Sequence, residues 1–302
     1  MNRRVENIAV LDLGSNSFHL IIARVEDGAI SPLLRLRESL ALANGLSEDG
    51  SLAEPFRIRA ISALARLSRR IRGLNITNII MVATGIFRET KDIDDLLQEM
   101  AVIVGVPVRV ISGLEEARLI YLGVTRTLEE NCGQHLVVDL GGGSTELILG
   151  AGETASHMAS INLGCVRFTT KYFPGGDTCA EHFQQAEAAA AAIFEEHRND
   201  FTSSCPAIGV SGTIRATSNI LRGIDPSCEG VITLERLEML RDRLIKAKNS
   251  ADHDLPGLRA DRVRVYPGGL AIFIAMFRSL NISFMTSSEA GLREGVIYDH
   301  LS

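Results

Sequence analysis

Two stretches of this sequence share one glycine- and hydroxyl-rich pattern. Residues 12–20 read DLGSNSFHL and residues 139–147 read DLGGGSTEL, and both fit D-L-G-x-x-S-x-x-L. Glycines let a backbone approach a ligand closely and present successive N–H groups, which make an anion-binding concavity. Gly14, Ser15, Asn16 and Ser17 supply the first turn, and Gly141, Gly142, Gly143, Ser144 and Thr145 the second. Their hydroxyls and amide add donors suited to phosphate oxygens. Asp12, at the end of the strand entering the first turn, could hold a metal ion or its waters, and Asp139 stands at the matching place. Apolar runs on both sides of each turn predict a β-hairpin. A single Gly/Ser turn joins strands in many proteins. Two matched copies 127 residues apart imply an internal duplication, with two hairpins facing each other across a cleft.

Three further places could do chemistry. In VISGLEEARLIYLGV (110–124), Ser112 and Glu115 have capping-box spacing, which gives Glu115 a structural task. Glu116 lies about 100° further round the helix and has no local partner in the sequence. It is either a solvated surface glutamate or a general base for water. In GVSGTIRATSNIL (209–221), Ser211, Gly212 and Thr213 open a helix, where free N–H groups and the dipole favour an anion. In ATGIFRET (83–90), Arg88 follows a glycine turn. It could clamp phosphate bidentately or form a surface ion pair with Glu89 or Asp92. His19 reads as a core or cleft-edge residue.

These residues need a scaffold, and the hydrophobic pattern supplies one. Strands are predicted near 8–13, 18–26 and 29–35, then a helix at 57–73 and a strand at 77–84. A helix at 93–104, a strand at 107–112 and a helix from 113 to 129 follow. The second half repeats the plan with strands at 135–140, 145–150 and 156–161 and helices at 164–173 and 179–198. Thr178 and Glu181 have capping-box spacing at the start of the latter. A strand at 207–211, helices at 213–223, 233–247 and 268–280, a strand at 283–287 and a helix at 290–300 complete it. Three strands and then alternating helices and strands, twice over, describe an α/β protein of two ribonuclease H-like domains. The expected division is 1–122 and 123–302, with the terminal helix packing back on the first domain.

Composition removes several classes. The 302 residues are 46% hydrophobic and 23% charged, ordinary for a folded globular chain. The net charge of −6 opposes a general nucleic-acid binder, so any phosphate site must be locally positive. No apolar run reaches the roughly 20 residues of a membrane span. The N-terminal MNRRVENIAVLDLGS superficially resembles a signal peptide, but Asp12 breaks its apolar run, and a buried strand is predicted. The five cysteines (132, 165, 179, 205, 228) show no CxxC and no Cys/His cluster with metal-ligand spacing. That usage points to a reducing cytoplasm. The seven histidines show no HxxxH pattern. Nucleophile-elbow, dinucleotide and P-loop fingerprints are absent.

With DLGSNSFHL, ISGLEEARLIYLGV, DLGGGSTEL, NLGCVRFTTKYFPGG, GVSGTIRA, LPGLRADRVRVYPGGLAI and AGLREGVIYD in order over about residues 8 to 300, the sequence resembles the exopolyphosphatase/guanosine-pentaphosphate phosphohydrolase family. The resemblance implies an actin-like fold of the actin/sugar-kinase superfamily with an interdomain active-site cleft. It implies Glu116 as the base that activates water and Arg88 near the scissile phosphate. Asp139 and Glu146, joined by Asp12, match carboxylates that hold Mg²⁺ or Mn²⁺. The two turns and Ser211-Gly212-Thr213 match phosphate grips. The expected activity is exopolyphosphatase, with guanosine pentaphosphate hydrolysis as the alternative and a small-molecule kinase or binding protein more remote. Two departures stand out. Gly85 replaces a serine or other polar residue frequent in the family, which removes one phosphate contact. Longer members continue into further helical domains resembling an HD-type domain, whereas this sequence stops at Ser302. A homodimer is therefore expected, with Lys171, Arg215, Arg222, Arg259, Arg262 and Arg264 along a shared groove and no nucleic-acid or membrane partner.

Overall fold

A computed structural model of the chain describes residues 5–47, 49–91, 93–128, 133–202 and 205–302. Asp92, residue 129 and Cys132 lie outside the described residues, and the helix expected to run from 113 to 129 ends at Thr125. In chain order the first elements are β1 (Val5–Leu13), β2 (Ser17–Glu26), β3 (Ala29–Ser39), α1 (Glu54–Ile71), β4 (Asn78–Ala83), α2 (Ile86–Glu89), α3 (Asp94–Val104), β5 (Val108–Val110) and α4 (Gly113–Thr125). Then come β6 (Gln134–Leu140), β7 (Thr145–Ala151), β8 (Thr154–Ile161), α5 (Cys165–Tyr172), α6 (Ala180–Glu195), α7 (Arg198–Phe201), β9 (Ala207–Gly209) and α8 (Gly212–Ile224). The chain closes with α9 (Leu234–Ala247), α10 (Ala260–Val263), α11 (Tyr266–Ser279), β10 (Met285–Ser287) and α12 (Leu292–Leu301). It separates into two compact units, Met1–Gly123 with Ala290–Ser302, and Val124–Glu289.

Each unit is built on a five-stranded mixed sheet, and the two sheets have one topology. The order is β3-β2-β1-β4-β5 in the first unit and β8-β7-β6-β9-β10 in the second. In both, the first three strands are antiparallel neighbours and the last two run parallel to the first. Even the register irregularities match, falling between Ile22 and Ala23 in β2 and between Leu149 and Gly150 in β7. The duplication visible in nine residues thus extends over whole domains of the ribonuclease H-like type.

The central strands explain why the turns are rigid. In β1, Ile8, Ala9, Val10 and Leu11 are fully buried, and in β6 Leu136, Val137 and Val138 are buried too. Continuous apolar runs of this kind mark strands covered on both faces. One cover is α1, whose Ala60, Ala63, Leu64, Leu67 and Ile71 form its buried stripe. In the second unit α11 packs on α5, α6 and α9, and only Arg278 of its fourteen residues escapes burial. Such a helix is a core element, apolar all round.

Two local readings change. The segment expected as one helix over 179–198 is α6 followed by the separate short α7. Thr178 does not cap it: Cys179 is the N-cap, and the fully buried Thr178 hydroxyl donates to Leu244 O at 2.6 Å. The anchoring bond to α9 wins over local capping. Also, β3 runs on to Ser39 rather than ending at residue 35, which has consequences for the first turn.

Candidate active site

The first turn is held from behind. The Gly14 amide donates to Ser17 O at 3.2 Å. Asn16 O accepts from Leu40 N and Ala41 N, and Ser15 O accepts from Ala43 N at 3.2 Å. The loop after β3 therefore occupies the turn's carbonyl oxygens. Two buried hydroxyls have their oxygens occupied as well. Ser15 Oγ accepts from Ile86 N at 2.9 Å, and Ser17 Oγ accepts from Arg37 Nε and Nη2 at 3.0 and 2.8 Å. A hydroxyl oxygen that accepts in this way keeps its own proton to donate, which suits a phosphate oxygen. Asp12 lies half-buried at the end of β1, opposite His19 in register. His19 Nδ1 is 3.4 Å from Arg293 Nη1 on α12.

Gly85 has a steric reason to be glycine. Its φ of 51° and ψ of −109° are closed to L side chains. A Cβ there would also stand 2.2 Å from Ser15 Oγ. Gly85→Ser in this chain is expected to cost about 1–3 kcal/mol of stability and lower the thermal-unfolding midpoint. An unchanged midpoint would show that the turn can reshape. Glycine at this position is thus coupled to how Ser15 is held.

The neighbouring glutamates of α4 part company. Ser112 Oγ accepts from Glu115 N at 3.1 Å, the expected cap, while the Glu115 carboxylate takes a two-pronged hydrogen bond from Arg118 at 2.8 and 2.9 Å. That bond holds the Glu115 carboxyl below its ordinary range. Arg118 reaches on to Asp299 of α12 at 2.7 Å. Glu116 is instead buried, with its Oε2 2.6 Å from Arg88 Nη1. The same nitrogen donates to Ile111 O at 3.2 Å. Thus neither surface reading applies: Arg88 pairs with Glu116 rather than with Glu89, and Asp92 lies outside the described residues. Helix α4 itself packs closely on α12, for a Cβ on Gly295 would lie 1.8 Å from Leu119 O. Arg88 sits on α2, whose Ile86 amide holds Ser15, so turn, arginine and glutamate are one connected assembly.

The second unit repeats this framework with different chemistry. The Gly141 amide donates to Ser144 O at 2.9 Å, as Gly14 does to Ser17. Gly141 O and Gly142 O accept from Cys165 N and Val166 N at 3.0 Å each, tying the turn to the start of α5. Gly143 is buried within the same turn. Thr145 is corrected by its bond: the fully buried hydroxyl donates to Leu163 O at 2.6 Å, which uses its only proton. Asp139 and Glu146 face each other across β6 and β7, and buried Glu146 Oε1 accepts from Ser160 Oγ at 2.8 Å. Ser211 Oγ caps α8 by accepting from Ile214 N at 3.1 Å. Thr213 is buried against the Cys165 thiol, which burial pushes up.

Arginines complete the correspondence. Thr84-Gly85 followed by Arg88 matches Ser211-Gly212 followed by Arg215, again 127 residues on. Arg88 donates to the residue after β5, and Arg215 Nη1 reaches Ser288 O, the residue after β10, at 3.5 Å as well as Val210 O. The repeated spacing was present in the sequence and is easily overlooked because only Gly, Arg and Thr90/Thr217 are identical between 83–90 and 210–217. Arg262 lies over the α8 turn: a Cβ on Gly212 would meet its Nη2 at 1.9 Å. It and Asp139 both act electrostatically on the Cys165 thiol. Of the other basic candidates, Arg222 donates to Glu229 O at 3.0 Å, Arg259 pairs with Asp261 at 3.1 Å, and Lys171 lies 5.0 Å from the Tyr172 ring centre. Arg264 is exposed.

The carboxylate oxygens of Asp139 and Glu146 are hard donors on one sheet face, a set that fits Mg²⁺. A different cluster contradicts the expectation that no cysteine and histidine share ligand spacing. Asp177, Cys179 and His182 each offer one ligand atom, all within 4.8 Å of one another. The relevant spacing is Cys-x-x-His at a helix start, where N-cap and third residue meet.

A model of the Ppx/GppA phosphatase family matches residues 21–302. The chain belongs to that family. A Haemophilus influenzae relative named "Putative exopolyphosphatase" is 39% identical over 299 residues, covering 97% of this chain and 91% of that protein. The crystal structure of the Aquifex aeolicus Ppx/GppA family member superposes with a TM-score of 0.80 at 25% identity, covering 99% of this chain and 98% of the other. An exopolyphosphatase from Cytophaga hutchinsonii has the same fold, with a TM-score of 0.86, 23% identity and 98% of both chains covered. Membership makes the chain a phosphatase of mixed α/β, two-domain architecture. Among the described residues no helix is long and apolar enough to cross a membrane.

Proposed function

We propose that this chain is an exopolyphosphatase that hydrolyses the terminal phosphoanhydride of inorganic polyphosphate. The observation that carries the reading is the buried Glu116 carboxylate held 2.6 Å from Arg88 beside the Ser15 turn. A guanidinium partner orients a carboxylate and favours its ionised form, the form that accepts a proton. Glu116 takes a proton from water as the water oxygen bonds to the terminal phosphorus. The bridging P–O bond then breaks and its electron pair leaves on the shortened chain. Arg88, the Ser15 and Ser17 hydroxyls and the turn amides bear the charge on the phosphoryl oxygens. In the second unit, Gly141–Ser144, Ser211, Gly212 and Arg262 are the phosphate-binding groups. In that unit Asp139 and Glu146 would hold Mg²⁺ or Mn²⁺, and Asp12 is the corresponding carboxylate of the first unit. Such an ion screens phosphoryl charge when bound.

The reading is tested by orthophosphate release from polyphosphate and from guanosine pentaphosphate side by side, with ATP plus a sugar as a third arm. Faster turnover of polyphosphate per active site supports it. Release only from guanosine pentaphosphate, or phosphate transfer to the sugar, contradicts it.

We further propose a cytoplasmic homodimer. Cys165, Cys179 and Cys228 are free thiols, which suits a reducing compartment. Pairing would add cationic contacts for a polyanion. With Arg222 and Arg259 engaged internally, Arg262, Arg264 and Lys171 remain the better groove candidates, and Arg215 serves mainly to brace its turn. Light scattering after size exclusion should give twice the chain mass, and polyphosphate binding should weaken steeply as salt rises, through counterion release. A monomer that digests long chains as well as short ones would refute the shared groove.

A further inference from the structure

The chain carries a second cluster of ligating side chains, which the phosphatase chemistry above does not use. Asp177, Cys179 and His182 lie at the start of α6, with ligand atoms all within 4.8 Å of one another. Their placement follows from helix geometry. Cys179 is the N-cap and His182 the third helical residue, positions whose side chains meet over a helix start, as in a capping box. Asp177 folds back over them: its Oδ1 accepts from Cys179 N at 3.0 Å, its backbone O lies 3.2 Å from His182 Nδ1, and its Oδ2 faces the same nitrogen at 3.7 Å. The frame is firm. The intervening Thr178 is fully buried, and besides its hydroxyl bond to Leu244 O its amide donates to Lys248 O at 3.0 Å. The His182 ring stands edge-on to buried Phe173, with centroids 6.3 Å apart and planes at 83°.

We propose that Asp177, Cys179 and His182 form a three-ligand site for Zn²⁺ or a similar thiophilic divalent ion, with water in the fourth position. Around a tetrahedral zinc with ordinary bonds to sulfur, nitrogen and oxygen, neighbouring ligand atoms stand about 3.4–3.6 Å apart. Asp177 Oδ2 and His182 Nδ1, 3.7 Å apart, are already within a few tenths of an ångström of that. Metal binding would take Nδ1 from the Asp177 carbonyl, and the Cys179 sulfur lies within 4.8 Å of the other two ligand atoms. A thiolate beside an imidazole selects Zn²⁺ over Mg²⁺, which prefers oxygen donors. The site shares no residue with the phosphate-binding machinery. Its occupancy would brace the junction of α6 with the end of α9, since the ligand-bearing loop is tied to Leu244 and Lys248.

Titration of the purified, reduced protein with Co²⁺, followed by Zn²⁺, tests the proposal. Expected is about one equivalent of cobalt bound with a thiolate-to-cobalt charge-transfer band and tetrahedral d–d absorption, both erased by Zn²⁺. Cys179→Ser should abolish the charge-transfer band. His182→Ala should weaken binding roughly tenfold or more, the cost even of losing an outer-shell partner. Far-ultraviolet circular dichroism of both variants checks that they fold. A wild-type protein without the band overturns the proposal. So does a band that survives in Cys179→Ser, or His182→Ala binding cobalt like wild type.

Discussion

Glu116→Gln lowers kcat by about 10²–10⁴-fold, the usual worth of a positioned general base, and leaves KM for polyphosphate largely unchanged. Glutamine keeps the size of the side chain and can still accept from Arg88, so the turn it supports should persist. The amide cannot take the proton from water. Glu115→Gln is the matched control. Its carboxylate is tied to Arg118, and losing that half-exposed pair costs on the order of 1 kcal/mol or less with turnover nearly intact. Comparable losses of activity in the two variants would remove the case for Glu116. Arg88→Gln adds a diagnostic: Glu116 would lose its 2.6 Å partner, and a buried carboxylate without a cation is costly. Both stability and kcat should fall in that variant, whereas in Glu116→Gln, where the amide oxygen still accepts from the more exposed Arg88, the loss should fall mainly on kcat.

Chelation of divalent cations abolishes activity, and Mg²⁺ or Mn²⁺ restores it, if Asp139 and Glu146 hold the ion. Asp139→Ala and Glu146→Gln then raise the metal concentration needed for half-maximal rate. Glutamine is the better choice at position 146, because its carbonyl can still accept from Ser160 while the charge is gone. An alanine there would also take the partner from the half-buried Ser160 hydroxyl, which confuses binding with folding. Full activity in metal-free buffer would remove these residues from the metal role.

The repeated D-L-G-x-x-S motif made the hairpins, the duplication and the α/β plan legible, because turn chemistry and strand periodicity are local properties. The pairing of Arg88 with Glu116 is not local. Each follows a different strand, β4 or β5, and only the parallel pairing of those strands brings them together. Arg37 was hidden for a related reason. It meets Ser17 only because β3 continues past residue 35, as the alternation of Leu34 and Leu36 with Arg35 and Arg37 could have indicated. Thr145 fits a phosphate turn by type, yet the strand direction turns its hydroxyl onto Leu163 O. Cys179 and His182 fall outside familiar metal spacings, since a helix start joins positions three apart and the carboxylate comes from the loop before.

The central claim is that water attacks the terminal phosphorus of polyphosphate under Glu116. Hydrolysis in ¹⁸O-labelled water tests it directly, with mass spectrometry of both products after partial digestion. The account predicts one labelled oxygen in each released orthophosphate and none in the shortened chain, with labelling slowed in Glu116→Gln to the same degree as kcat. Label in the new chain end would place the attack on the penultimate phosphorus, and equal labelling rates in wild type and Glu116→Gln would remove Glu116 from the chemistry.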